Sequence, residues 1–355
     1  MNRIQSFVSL YNSESTVNSY QSILNRYFKF IGVDCDEYFE QDRDFKTDVK
    51  SFYASIKTSP PKTTRVYLSV IKTFFEDNDI ELSAKFWSRL KRANGTSRAL
   101  TQDRIPTREE LSRILNQTPL RARALFLVME SSGMRIGETT KLQMDDIELD
   151  KSPAEIRIRA EYTKSHLPRT TFISAEAAAM LKEWLKVREH YISTHVNSLQ
   201  FSTRVFPVRT TKLSRHFIVA LEKTGLDDKD PTTGRRILHP HTLRKYFRTE
   251  GAKAIPVDIL EALMGHEGYM TDSYRRYSLE QRREAYLAGE WALTIFTDGT
   301  LVQREIESKT SELKDTVSTI VGKSLNMERA RGNNMTCGAV FVVAYHLSTA
   351  RASAS

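Results

Sequence analysis

The sequence predicts a mainly α-helical protein with one small β-hairpin or sheet, divided into an N-terminal helical bundle and a mixed α/β domain. Three observations predict it. Apolar residues recur at helical spacing along much of the chain, one short stretch alternates instead, and the pattern lapses between residues 97 and 106. The 355 residues also exceed what one core usually serves.

In the bundle, residues 13–31 set Val17, Tyr20, Leu24, Tyr27, Phe28 and Ile31 on one helical face. Residues 63–75 repeat the device with Val66, Tyr67, Val70, Ile71, Phe74 and Phe75. DVKSFYASI reads as a shorter helix between them, and Pro60-Pro61 breaks the chain before the next. These aromatics are core residues. KFWSRLKRANGTSR (85–98) closes the bundle, carrying Lys85, Arg89, Lys91, Arg92 and Arg98 with no acid. That run suits a solvated face or an arm on a phosphate backbone. Residues 1–98 are expected to form the helical domain, 99–106 a linker, 107–290 the second domain, and 291–355 a C-terminal helix with a disordered tail.

The second domain opens on Thr107 and Glu110, a capping-box pair after Pro106. RARALFLVMESSG reads as a buried helix that Gly133 ends in the left-handed conformation. Ile156, Ile158 and Ala160 then alternate with Arg157, Arg159 and Glu161, the period of a strand with one wet face. SHLP makes a turn, and Arg169–Ile173 returns as the partner strand. Ser174 caps a helix containing Met180, Leu181, Trp184, Leu185 and Val187, and LSRHFIVALEKTG is another. Pro256 opens VDILEALMG, which Gly265 ends, and SLEQRREAYLAGEWAL continues helically. Trp87, Trp184 and Trp291 are expected to pack, and His239 to sit in a loop.

A formal net charge of +9 and a pI near 9.4 favour a polyanionic partner, nucleic acid first. No apolar run approaches the ~20 residues that cross a bilayer, and the N-terminus lacks a charged-then-apolar leader pattern. Cys35 and Cys337 lie far apart and form no CxxC pair, which fits a reducing compartment and indicates no zinc site. No GxxxxGK[ST] loop and no carboxylate cluster points to ATP or metal chemistry.

The chemistry gathers in HPHTLRKYF and LMGHEGYMTDSYRRYS. His241 and Arg244 share a helix face at a spacing of three. A guanidinium fork suits a phosphate, an imidazole passes a proton near neutral pH, and a tyrosine beyond them can act as nucleophile. Arg135 follows a Gly-terminated helix in GMRIGE, with Glu138 as its natural partner.

GMRIGE, YTKSH, HTLR, LMGHEG and SYRRY, in this order across residues 107 to about 290, resemble the tyrosine recombinases of the phage-integrase and Xer type. The bundle is similar to that family's core-binding domain, and the SYRRYS ending resembles integrases of archaeal mobile elements. The resemblance implies a site-specific DNA recombinase that cuts and rejoins strands through a 3′-phosphotyrosine, without ATP, metal or other cofactor. Arg135 and Arg244 would grip the scissile phosphate, with Glu138 as support. Lys164 would protonate the departing 5′ oxygen, Lys151 and Arg169 being the alternatives. His241 would serve as acid/base, and His266 would bind the phosphate or position the nucleophile. Tyr274, eight residues past His266, matches the family's small-polar-Tyr ending better than Tyr277, which would border the site; Tyr269 would pack. The resemblance further implies double-stranded DNA attachment sites as partner, a homotetramer on DNA, the helix after the tyrosine docking on a neighbour, and action in the cytoplasm or nucleoid. A type IB topoisomerase-like enzyme and an inactive DNA-binding relative are the alternatives.

Overall fold

The computed structural model describes residues 2–95, 101–195, 203–265 and 277–296. The expectations for Arg98, His266, Tyr269, Tyr274, Cys337 and the tail past 296 lie outside the described residues. The chain divides into two compact units, the first comprising the residues up to Gln102 together with Pro231–Thr233 and the second starting at Asp103, inside the expected linker.

The first unit holds α1 (Arg3–Val8), α2 (Glu14–Ile31), α3 (Cys35–Tyr38), α4 (Phe45–Ile56), α5 (Pro61–Asp77) and α6 (Ala84–Ala93). Its core is aromatic: Phe7, Tyr27, Tyr38, Phe52, Phe74 and Phe75 are almost wholly buried. Rings meet mostly edge to face, as their quadrupoles prefer, for instance Phe7 on Phe74 at 5.2 Å. The buried hydroxyls of Tyr27 and Tyr38 satisfy each other at 2.8 Å. Val70, Ile71, Phe74 and Phe75 are buried on α5 as expected, Leu68 joins them, and Val66 is exposed. On α6, Phe86 and Leu90 are the residues that enter the core.

The second unit holds α7 (Arg108–Asn116), α8 (Leu120–Ser132), α9 (Ile136–Thr139), α10 (Ala175–His195), α11 (Thr210–Thr224), α12 (His241–Gly251), α13 (Val257–Met264) and α14 (Leu279–Gly289). A three-stranded antiparallel sheet joins them: β1 (Ile147–Glu148), β2 (Ala154–Ile158) and β3 (Arg169–Ile173), in that order. β2 and β3 pair with Ile156 opposite Thr171 and Ile158 opposite Arg169. The strand expected to run to Ala160 stops at Ile158, because Ala160–Tyr162 forms a 3-10 turn and Arg159 is held by Asp145 and Asp146 at 2.7 and 2.6 Å.

α8 is the axis of this unit, buried on all sides and packed on α10 and α12. Both bonds of the Thr107–Glu110 capping box form, at 3.0 and 3.2 Å. Arg123 on α8 closes the C-terminal end of α7 through the carbonyls of Leu115, Asn116 and Thr118. Gly133 ends α8 at φ 66° and Gly265 ends α13 at φ 67°, as the sequence indicates.

Gly133 matters doubly. A Cβ there would stand 2.9 Å from Met264 Cγ and press on the Phe247 ring. Left-handed backbone and overpacking each cost a non-glycine residue, so Gly133→Ala should destabilise the protein by roughly 2–4 kcal/mol. Thermal unfolding of the variant checks this; an unchanged melting temperature would contradict the packing described.

α14 packs on its own unit through one face: Tyr286 is fully buried with its hydroxyl donating to the Ser131 carbonyl at 2.7 Å, and Arg283 pairs with Glu155. Trp291, expected to pack, is 61% exposed. It lies in the turn after α14, where Ala292 and Leu293 take the inward positions. Val187 on α10 is likewise exposed, at the margin of that helix's apolar face.

Candidate active site

The site is built where α8 and α13 end. Immediately after Gly133, Arg135 occupies the position before α9 and donates from Nη1 to Glu138 Oε1 at 2.8 Å. The backbone N–H of Arg135 also donates to Glu138 Oε2, at 2.9 Å. Glu138 is 2% exposed. Its other partner is Arg169 on β3, whose Nη2 reaches Oε2 at 2.6 Å. Burial opposes ionisation of this carboxyl, but the hydrogen bonds and charges of Arg169 and Arg135 outweigh it and hold the group below its ordinary range. Glu138 is therefore an anion that orients Arg135. Arg169 also donates from Nε to the Leu263 carbonyl at 3.0 Å, tying the sheet to the end of α13.

Arg244 comes up from the first turn of α12 and is 3% exposed. Its Nη1 donates to the Gly133 carbonyl, and its Nη2 donates to the Met264 carbonyl at 2.9 Å. The terminal carbonyls of two helices thus anchor one guanidinium, the favourable sign for a cation at helix C-termini. Burial first, and the like charges of Arg135 and Arg169, push this group down to about 9. It remains a cation at neutral pH. Arg135 and Arg169 share the Glu138 carboxylate, while Arg244 feels Glu138 and Glu261 through their charge and is held by carbonyls.

His241 opens α12 on the solvent side, three residues before Arg244. Desolvation, then the neighbouring His239, Arg244, Lys245 and Arg135, hold its imidazole below the ordinary value. At neutral pH it is uncharged and able to accept a proton. His239 lies in the preceding loop, as expected, with its ring parallel to that of His241 at 6.3 Å between centroids. Among the described residues, no three His, Cys, Asp or Glu side chains gather as metal ligands.

Lys164 is exposed on the loop joining β2 to β3. The alternatives to it are occupied structurally: Lys151 bridges Glu148 and Glu155 at 2.7 and 2.8 Å, and Arg169 is buried on Glu138. Tyr277 packs its ring against the apolar cluster of Phe172, Phe247 and Leu260. On α6, Lys85, Arg89 and Arg92 recur at spacings of four and three and line one exposed stripe. Lys91 instead lines a groove of about 410 Å³ with Trp87, Arg65 and Lys72. Sequence reasoning missed Asp103, which accepts from His239 Nε2 at 3.3 Å and pairs with Lys245. Only its closeness to the capping box of α7 hinted that it would be ordered.

Residues 99–280 match the model of the phage integrase family. The chain is 26% identical over 296 residues to the tyrosine recombinase XerD of Bifidobacterium longum, covering 77% of this chain and 90% of that protein. It is 22% identical over 283 residues to the tyrosine recombinase XerA of Pyrococcus horikoshii, covering 77% and 87%. Its fold is similar to lambda integrase in a tetramer bound to a Holliday junction, with a TM-score of 0.55 at 15% identity over 77% of this chain and 78% of that one.

Proposed function

The chain belongs to the phage integrase family and is a tyrosine site-specific recombinase, and we propose that the groups around α8 and α12 are what cuts and rejoins its DNA. The observation that carries this reading is the pair Arg135 and Arg244, one oriented by Glu138 and the other by two helix ends. Attack on a phosphodiester builds charge on the non-bridging oxygens, and preorganised guanidiniums stabilise that charge more than the ground state.

In this mechanism the Tyr274 oxygen forms a bond to phosphorus while His241 takes its proton. The bond from phosphorus to the 5′ oxygen breaks, and Lys164 gives that oxygen a proton, releasing a 5′-hydroxyl. His266 binds the phosphate or positions the tyrosine. The 3′-phosphotyrosine keeps the energy of the phosphodiester, so a 5′-hydroxyl from a partner strand reverses the step without ATP or metal. The α6 stripe of Lys85, Arg89 and Arg92, with Lys91 and Arg98, lies along the backbone of a double-stranded attachment site. Four protomers assemble on two such sites in the cytoplasm.

The test is a nicked suicide duplex carrying the cognate site, incubated with the protein in EDTA. A covalent protein–DNA adduct is expected. An adduct that needs a divalent cation would return the reaction to metal-dependent nucleases, and no adduct at all would make the chain a DNA-binding relative.

A further inference from the structure

We infer that Asp103, the first residue of the second unit, is a positioning residue for His241, acting through His239 and Lys245. The inference rests on the reading of His241 as the proton acceptor.

Asp103 Oδ2 takes two donors from opposite sides of His241: His239 Nε2, two residues before it, and Lys245 Nζ, one helical turn after it. A carboxylate bound to one ring nitrogen fixes the orientation of an imidazole, which is how supporting groups commonly hold functional histidines. The held ring of His239 lies 2° from parallel with that of His241. Among the described residues the His241 ring has no hydrogen-bond partner of its own, so this stack and the helix start are what place it. Pro240 between the two histidines restricts the backbone that joins them.

The carboxylate suits the task. Partial burial works against its charge, but Lys245 and then His239 outweigh burial and keep it ionised. The charged and titratable groups facing His241 from the described elements are His239, Arg244, Lys245 and Arg135, and all four disfavour its protonation. Asp103 moderates two of these, His239 and Lys245. The arrangement holds His241 neutral without exposing it to the full field of both neighbours.

The consequence is two variants with opposite signs. Asp103→Asn removes negative charge and leaves Lys245 unneutralised, so protonation of His241 should need a lower pH. His239→Phe keeps a flat ring but removes a neighbour that works against protonation of His241, so His241 should protonate at a higher pH. Shifts of about 0.5 pH unit each way are expected. They are read by NMR titration of the His241 ring in the full chain, its signal assigned by its loss in His241→Gln. Single-turnover cleavage on the nicked duplex should slow about tenfold in both variants at unchanged DNA affinity, its acid limb moving with the titration. Asp103→Glu should recover most of the rate.

If both variants melt like wild type and neither moves the His241 titration, the inference is wrong. Equal shifts of the same sign would also sink it, since a loosened loop does not discriminate charge. Wild-type cleavage by His241→Gln would instead overturn the role given to His241, while the NMR result on Asp103 would stand by itself.

Discussion

Replacing Tyr274 with phenylalanine is expected to abolish the covalent protein–DNA adduct, a loss on the order of 10⁴-fold or more, as for removal of other catalytic nucleophiles. DNA affinity should stay within about twofold, because one phenolic hydroxyl adds little to a surface dominated by phosphate contacts. A phenol with a pKa near 10 becomes nucleophilic only beside a base and cations, which are the groups gathered near Arg244. Tyr277 supplies the contrast. It packs against the apolar cluster that contains Phe172, Phe247 and Leu260, so Tyr277→Phe should retain cleavage within a few-fold. Mass-spectrometric identification of the DNA-linked peptide decides between them, and an adduct on Tyr277 would refute the assignment.

The second large effect is expected at Arg244. Arg244→Ala should cut the cleavage rate by about 10²–10³-fold, the usual loss when one preorganised donor to a developing oxyanion is removed. It should also lower the melting temperature, because the Gly133 and Met264 carbonyls lose their donor and an unmet buried acceptor costs about 1–3 kcal/mol. Arg244→Lys keeps the charge but reaches one carbonyl at most, and should fall between the two. A variant that melts as wild type yet cleaves a thousandfold slower would assign Arg244 to chemistry alone; the reverse would make it a structural clamp.

Where the sequence was readable, the reason is local. α2 and α5 carry enough turns for an apolar period to register, α8 is a continuous buried run, Thr107 and Glu110 satisfy each other within one turn, and Gly133 and Gly265 mark ends only glycine tolerates easily. α1, α3 and β1 escaped notice because six, four and two residues are too few to show a period. Arg135 with Glu138 was legible at a spacing of three, whereas Arg169 meets Glu138 across 31 residues of chain and leaves no trace in the local pattern. Asp103 falls in the expected linker for the same reason: its partners are 136 and 142 residues away. The site residues that sequence order reveals are those sharing a helix turn, and those it hides are the tertiary partners that aim them.

The glycine endings of α8 and α13 bring a consequence for how this enzyme can change. The same carbonyl groups that finish those helices hold Arg244, so neither glycine can be traded for a sturdier residue without moving the guanidinium. Selection weighs such positions twice, once for survival of the fold and once for turnover. A search for a hardier variant has its room in the aromatic bundle of the first unit, where packing can be improved at no expense to the chemistry.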